Sequence, residues 1–324
     1  YADFPNIFPG KVFIATETTS ALATRGSYDM PSDSIRRWPY RWDVAFTDGN
    51  ADNSCSAYDN CSAPWGSTHA ETWKEVRKHD FLSGMYIWTG FDYLGEPTPY
   101  EWPSRSSYFG VIDLAGFPKD AYYMYQSEWT DKTVLHLFPH WNWEPGQLVD
   151  VWAYYNNADE VELFLNGVSK GVKSKSEDDL HVWWRLPFEP GKLMAVSRKN
   201  GVVIKETLVS TAGKPSQIVA RADRATIQSG GDDLAFITIE VLDERGNLVP
   251  YADNLIEVKV SGNGSIAAVD NGSQTNHQPF VGEQISAFHG KCLVVVRAAK
   301  NPGVAVVSLS SDGLRGSTLE VRVN

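Results

Sequence analysis

A chain of 324 residues, 42 % of them hydrophobic, can bury the cores of two or three domains and is not a disordered composition. With 40 acidic against 29 basic residues the formal net charge is −11, which disfavours a nucleic-acid partner, because phosphate-backbone binding needs a basic surface. No run of 18 apolar residues occurs, so no membrane-spanning helix is indicated.

No signal peptide is visible, and a chain that opens Tyr1-Ala2-Asp3 without Met reads as processed or truncated. After a Pro-bearing lead-in over residues 1–10, the apolar and β-branched residues from Val12 to Thr16 predict a buried strand ending on Glu17. A carboxylate at the C-terminal end of a buried parallel strand is where a (β/α)8 barrel places catalytic groups. One acid among 40 is also open to a plainer role, a strand-end ion pair. From Thr18 to about Ser67 runs a polar stretch too long for an ordinary connection. It carries Trp38, Tyr40, Trp42, Tyr58 and Trp65, so it predicts a loop packed over something rather than a linker.

Thr68 followed three residues on by Glu71 is a capping box. The helix it opens is predicted to run to about Asp80 with Trp73 and Val76 inward, and Met85–Trp88 predicts a second buried strand. Strand, loop, helix, strand is one βα repeat plus the next strand. A barrel needs eight strands, so six are expected outside this sequence. Residues 94–128 then hold the last loop and the last helix, Ala121–Trp129, with Tyr122, Tyr125 and Trp129 at helical spacing.

From about Thr130 the apolar period changes to two, in Val149, Val151 and Ala153 and again in Val161, Leu163 and Leu165. Asn166-Gly167 between strand-like runs is a hairpin signal, and Lys170–Lys175 reads as a solvated hairpin tip. Strands continue at Val182–Leu186, Leu193–Ser197 and Val202–Val209. After a linker at Ala212-Gly213-Lys214-Pro215 come strands at Phe236–Leu242, Ile256–Val260, Cys292–Ala298, Val304–Leu309 and Leu319–Val323. The expected organisation is the last two strands of a TIM barrel (1–129) and two immunoglobulin-like β-sandwiches (130–213 and 214–324).

The three cysteines have no zinc-like spacing, and no phosphate loop, Ser-His-Asp set or metal cluster stands out, so no cofactor is expected. Cys55 and Cys61 share one polar loop, where a local disulfide is open in an oxidising compartment. Cys292, beside an apolar run, reads as a buried free thiol.

Phe13-Ile14-Ala15-Thr16-Glu17-Thr18-Thr19-Ser20 with Thr24-Arg25-Gly26-Ser27-Tyr28 resembles the nucleophile segment of family 2 glycoside hydrolases, in their bacterial β-galactosidase branch. Ala63-Pro64-Trp65-Gly66 and the long run from Ser83 to Tyr100 carry the resemblance on. Phe138–Trp143 and Val161–Gly167 resemble the immunoglobulin-like domain after the barrel in that branch, and the final segment its extra C-terminal domain. The resemblance implies that Glu17 is the nucleophile of a retaining hydrolase, attacking the anomeric carbon to form a glycosyl-enzyme. The family's acid/base follows an Asn at an earlier strand end. No matching segment occurs here, since Asp159-Glu160 and Asp243-Glu244 both fall in β segments, so Glu17 is half of a catalytic pair.

Trp88 matches the family's aromatic platform at the end of the last strand, the alternative being a core Trp. Asp92 is expected to accept from sugar hydroxyls or to be a turn residue, and Tyr93 to orient Glu17. Glu96 is a rim contact or a loop charge. Arg25 reads as one side of a structural salt bridge, His69 as part of a helix cap, and His140 and Trp141 as packed against the barrel. The implied partner is a carbohydrate with a terminal β-galactoside, homo-oligomers being open, and the implied location is periplasmic or extracellular in a bacterium. Two other readings stand beside this one. In the first, a non-catalytic carbohydrate-binding or scaffold piece, Glu17 has no catalytic role. In the second the sugar differs, as in β-glucuronidase or β-mannosidase; glucuronidases resemble Glu-Tyr-Gly where this chain has Glu17-Thr18. The isolated chain is expected to be inactive.

Overall fold

The computed structural model describes residues 3–41 and 43–324, so Tyr1, Ala2 and the loop aromatic Trp42 lie outside the described part. The chain forms two compact units, one ending at Pro139 and resuming over Pro145–Val209, the other made of His140–Glu144 and Ser210–Asn324.

The first unit opens with a short helix α1 (Phe4–Ile7) and the strand β1 (Phe13–Thr19). The long loop holds two two-residue strands, β2 (Arg36–Arg37) and β3 (Cys61–Ser62), which pair in parallel. Helix α2 (His69–Val76) follows, then β4 (Leu82–Trp88) and helix α3 (Asp120–Trp129). The capping box is present: Glu71 N donates to Thr68 Oγ1 and Thr68 N to Glu71 Oε2. The helix stops at Val76, four residues short of the expected end.

β1 and β4 pair in parallel, as one βα repeat requires, with Phe13 opposite Leu82 and Thr19 opposite Trp88. Both were expected to be buried, and neither is: Ile14 is 49 % and Tyr86 63 % exposed. The physical reason is that the two strands form a two-stranded sheet whose outer edges carry no further strand among the described residues. In α3 Ala121, Met124 and Tyr125 are buried, while Trp129, the last of the aromatic residues at helical spacing, is 43 % exposed.

The long loop is packed, as its aromatics predicted. Leu22, Trp38, Cys55, Cys61, Tyr100 and Tyr108 form one buried cluster, against which Phe46, Trp88 and Tyr93 lie. Cys55 and Cys61 are free thiols inside it, burial pushing the Cys55 thiol up. Tyr58 belongs to a second cluster with Met124, Phe138 and Trp152, and its hydroxyl donates to the Asp150 carbonyl at 2.5 Å.

The remaining strands of this unit are β5 (Leu135–Phe138), β6 (Leu148–Tyr155), β7 (Glu160–Leu165), β8 (Val168–Lys173), β9 (His181–Pro187), β10 (Lys192–Lys199) and β11 (Val202–Ser210). They make a three-stranded sheet β5-β6-β9 and a four-stranded sheet β11-β10-β7-β8. Asn166-Gly167 joins β7 to β8 with φ of 51° and 80°, the two left-handed residues a type I′ turn needs. Lys170 and Lys173 lie in β8 itself rather than at a hairpin tip, and Lys175 reaches Glu128 at 3.4 Å.

The second unit holds β12 (Gln217–Ala222), β13 (Thr226–Ile227), β14 (Leu234–Leu242), β15 (Leu255–Gly262) and β16 (Gly264–Asp270), then β17 (Gln284–Ser286), β18 (Lys291–Ala298), β19 (Gly303–Ser310) and β20 (Ser317–Val323). Two sheets result, β12-β14-β18-β16 and β13-β20-β19-β15-β17. Ile237, Ile239, Val294 and Val296 from one and Val258, Val307, Leu309 and Val321 from the other share a single buried core. Burying each such side chain fully stabilises by roughly 1.5–3 kcal/mol. Cys292 is a buried free thiol in β18, as expected. His140 and Trp141, expected within the first sandwich, group with this unit: the Thr211 hydroxyl donates to the Trp141 carbonyl at 2.7 Å and Asn142 Nδ2 to the Ala212 carbonyl at 2.8 Å.

Candidate active site

Glu17 lies in β1 two residues before its end, and its side chain is exposed. The β1–β4 register shifts between Ala15 and Thr18, the interval that contains Glu17. Beyond it the strand is tied down by two hydroxyls, Thr18 Oγ1 donating to the Tyr86 carbonyl at 2.9 Å and Thr19 Oγ1 to the Trp88 carbonyl at 3.1 Å.

The chain then turns through two successive left-handed residues, Thr19 at φ 77° and Ser20 at φ 73°. A β-branched residue in this region is a genuine outlier, and each such residue costs about 1–3 kcal/mol. Contacts from the end of the long loop hold it: Ser67 N donates to the Thr19 carbonyl at 2.7 Å and Ala63 N to the Ser20 carbonyl at 2.9 Å. Gly66 is the close approach that makes this possible, since a Cβ there would meet the Thr19 carbonyl oxygen at 2.0 Å. A cavity of about 670 Å³ opens beside the strand, lined by Glu17, Thr18, Ser20, Trp65, Glu71 and Thr72 among others.

Trp88 ends β4, and its peptide bond to Thr89 is cis. Its ring is partly buried and meets Tyr93 edge-on at 5.8 Å. The Trp88 ring packs against the loop cluster of Leu22, Trp38, Tyr100 and Tyr108. The Tyr93 hydroxyl donates to Glu96 Oε2 at 2.5 Å, where sequence reasoning directed it to Glu17. Burial and then this carboxylate raise the Tyr93 phenol above its ordinary value. Glu96 sits exposed at φ 46° on the loop that follows.

Asp92 is only 3 % exposed and is engaged from three sides. Lys119 Nζ lies 2.7 Å from Oδ2, while Gly110 N at 2.8 Å and Ser107 Oγ at 3.3 Å donate to Oδ1. Burial pushes its pKa up to about 6 against the pull of Lys119, which leaves the carboxylate mostly ionised at neutral pH. Such a carboxylate anchors the loop after β4 and is not laid open to sugar hydroxyls. Lys119, itself 1 % exposed, also donates to the carbonyls of Ala23 and Tyr108, so it ties the loop after β1 to the loop after β4. Sequence reasoning missed it, because its partner is 27 residues away and no local pattern announces the pair.

Arg25 forms the structural bridge expected of it, Nε lying 2.6 Å from Asp113 Oδ2, with its guanidinium over Phe117. His69 N donates to Asp59 Oδ1 and Ala70 N to Asp59 Oδ2, so Asp59 adds to the cap of α2. Burial raises Asp59 to about 7 and lowers His69 to about 3.

The fold and site define a mostly β, multi-unit protein headed by a parallel strand pair that carries an exposed carboxylate on one strand and an indole ring at the end of the other. The sequence profile of the glycoside hydrolase family 2 C-terminal domain 5 matches residues 218–320, and that of a domain of unknown function (DUF4982) matches residues 146–205. The β-galactosidase BoGH2A of Bacteroides ovatus is 58 % identical over 322 residues, 98 % of this chain and 38 % of that protein. A putative β-glucuronidase of Formosa agariphila is 35 % identical over 92 % of this chain and 31 % of its own length. The crystal structure of a β-glycosidase from Bacteroides vulgatus superimposes with a TM-score of 0.88 at 31 % identity, over 99 % of this chain and 43 % of that one. The chain belongs to glycoside hydrolase family 2. It spans about two fifths or less of the length of these relatives.

Proposed function

We propose that this chain is the nucleophile-bearing portion of a retaining β-galactosidase, its β1–β4 pair being the last two strands of a TIM barrel and its later strands two immunoglobulin-like β-sandwiches, with boundaries near residues 129 and 213. The observation that carries the reading is the exposed Glu17 carboxylate on a strand whose end is clamped in a left-handed turn and bonded to the end of the Trp88 strand. Retaining hydrolysis needs a carboxylate held in place to attack the anomeric carbon and a second one about 5–5.5 Å away to protonate the leaving group. Glu17 supplies the first, Trp88 a face for the sugar ring, and the acid/base comes from elsewhere in a longer polypeptide. Asp92, Tyr93 and Glu96 act behind Trp88, Asp92 by anchoring the loop and the Tyr93–Glu96 pair by seating the ring.

The β-galactosidase activity for which the Bacteroides ovatus relative is named supports galactose as the sugar. Glucuronate is the runner-up, supported by the Formosa agariphila relative. Against it, Lys119 and Arg25 are each held by a buried carboxylate rather than offered to an acidic sugar. A periplasmic or extracellular location fits this substrate class; among the described residues no helix is long and apolar enough to cross a membrane, which says nothing of other modes of attachment.

The test is turnover of an activated β-galactoside and of the matching β-glucuronide by the full-length polypeptide, with and without Glu17→Gln. Loss of galactoside turnover in the variant is expected, and near-normal turnover would reject Glu17 as nucleophile. Faster cleavage of the glucuronide would reject the sugar. The isolated 324 residues are expected to be inactive. Activity in them that Glu17→Gln abolishes would show that no further residues are needed.

A further inference from the structure

We propose that Trp102 is a stacking platform for the first sugar of the leaving group, so that the enzyme is built for oligosaccharides rather than simple galactosides. This rests on the reading of Glu17 and Trp88 given above.

Trp102 is 78 % exposed, the highest value for a large apolar side chain among the described residues. It is nevertheless held on a clamped loop. Residues 89–95 run against residues 105–112, with Gly95 N donating to the Arg105 carbonyl and Ser107 N to the Tyr93 carbonyl, so Trp102 lies near the tip of an irregular hairpin growing out of β4. Both sides of the tip are anchored. Two residues before Trp102, the buried Tyr100 donates its hydroxyl to the Ser54 carbonyl at 2.6 Å and packs on Phe46 at 5.4 Å. Two residues after it, Ser104 Oγ meets Tyr108 Oη at 2.8 Å and accepts from Asn53 Nδ2 at 3.0 Å. Tyr100 and Phe46 belong to the same aromatic cluster that seats Trp88. The Trp88 ring and the hairpin that carries Trp102 therefore rest on one scaffold, which follows directly from the end of β4.

A preorganised ring costs little conformational entropy when a ligand binds, and Trp offers the largest such face. A sugar presents its CH face to an indole as readily as the cleaved residue does to Trp88. The occupant is thus a neutral saccharide joined to the cleaved sugar; the net charge of −11 also disfavours an anionic one.

The experiment compares two substrates on the full-length enzyme: a β-galactosyl fluoride, whose leaving group has no ring, and a β-galactosyl-terminated trisaccharide. Trp102→Ala is expected to lower kcat/KM on the trisaccharide on the order of tenfold, mainly through KM, and to leave the fluoride unchanged. Trp102→Phe is expected to restore part of the loss. Equal loss on both substrates with a lowered Tm means that Trp102 only supports the loop, and no loss on either means that it contacts no sugar; each result overturns the proposal. Should Glu17→Gln fail to abolish turnover, the nucleophile assignment falls, while the comparison of the two substrates still judges Trp102.

Discussion

Replacing Gly66 by Ala tests how tightly the turn after Glu17 is held. The new Cβ would sit 2.0 Å from the Thr19 carbonyl oxygen and 2.6 Å from the Ser20 Cβ, both closer than the 3.0 Å that real Cβ atoms keep. Relief requires the Gly66 and Thr19 backbones to part by about 1 Å, and Thr19 is two residues from Glu17 on the same strand. A shift of about 1 Å at a reacting group costs about 10² in rate, and overpacking of this kind costs about 1–3 kcal/mol in stability. The assay is kcat/KM of the full-length enzyme on a small activated β-galactoside, with thermal unfolding run in parallel to correct for any unfolded fraction. Gly282→Ala is the control, since the nearest atom to its new Cβ is the Pro279 carbonyl oxygen at 4.0 Å and no left-handed φ is involved. If Gly66→Ala keeps wild-type kcat/KM, the turn does not position Glu17 and the reasoning fails.

Other outcomes follow from the buried charges. Asp92→Asn leaves Lys119 buried without its counter-ion and is expected to destabilise the first unit by about 3–5 kcal/mol, whereas the double change Asp92→Asn, Lys119→Met recovers much of it; urea unfolding of both variants checks this. His69 has its folded pKa depressed to about 3, below the unfolded value of about 6.5, so the unfolded state takes up the proton first. Its contribution is therefore fully present above pH 6.5 and is lost as pH falls toward 3, at up to about 1.4 kcal/mol per pH unit. Asp59 is raised to about 7 and works in the opposite sense, its contribution being lost as pH rises from about 4 to 7. His69→Phe is accordingly expected to flatten acid unfolding, and Asp59→Asn to steepen it between pH 4 and 6.5. Parallel curves for the two variants would contradict both assignments.

Local chemistry was the legible part of this fold. Asn166-Gly167 reads as a hairpin because only residues that tolerate positive φ make that turn, and Thr68 with Glu71 reads as a cap because both hydrogen bonds fall within one helical turn. The strands β14, β19 and β20 alternate between buried and more exposed positions and β18 is a short apolar run, and all four were anticipated. β12, β13, β16 and β17 were not: β13 and β17 are too short to show a period, and a register shift between Ile266 and Ala268 interrupts β16. In the site, Glu17 and Trp88 each close an apolar run, but the runs alone left a structural role open, and it was the resemblance that singled the two residues out. What those runs could not show is long-range pairing. Asp92 with Lys119 and Arg25 with Asp113 depend on how two loops fold back on each other, and no sequence period encodes that.

The central claim is that Glu17 becomes covalently bonded to the sugar, and trapping that bond tests it most directly. A 2-deoxy-2-fluoro-β-galactosyl fluoride reacts through its good leaving group, while the fluorine at C2 slows the water attack that would release the enzyme. Peptide mass spectrometry of the inactivated full-length polypeptide is predicted to find one fluorogalactosyl group, on the peptide that contains Glu17 and at that carboxylate. A label on any other carboxylate, or inactivation that proceeds unchanged in Glu17→Gln, would contradict the account.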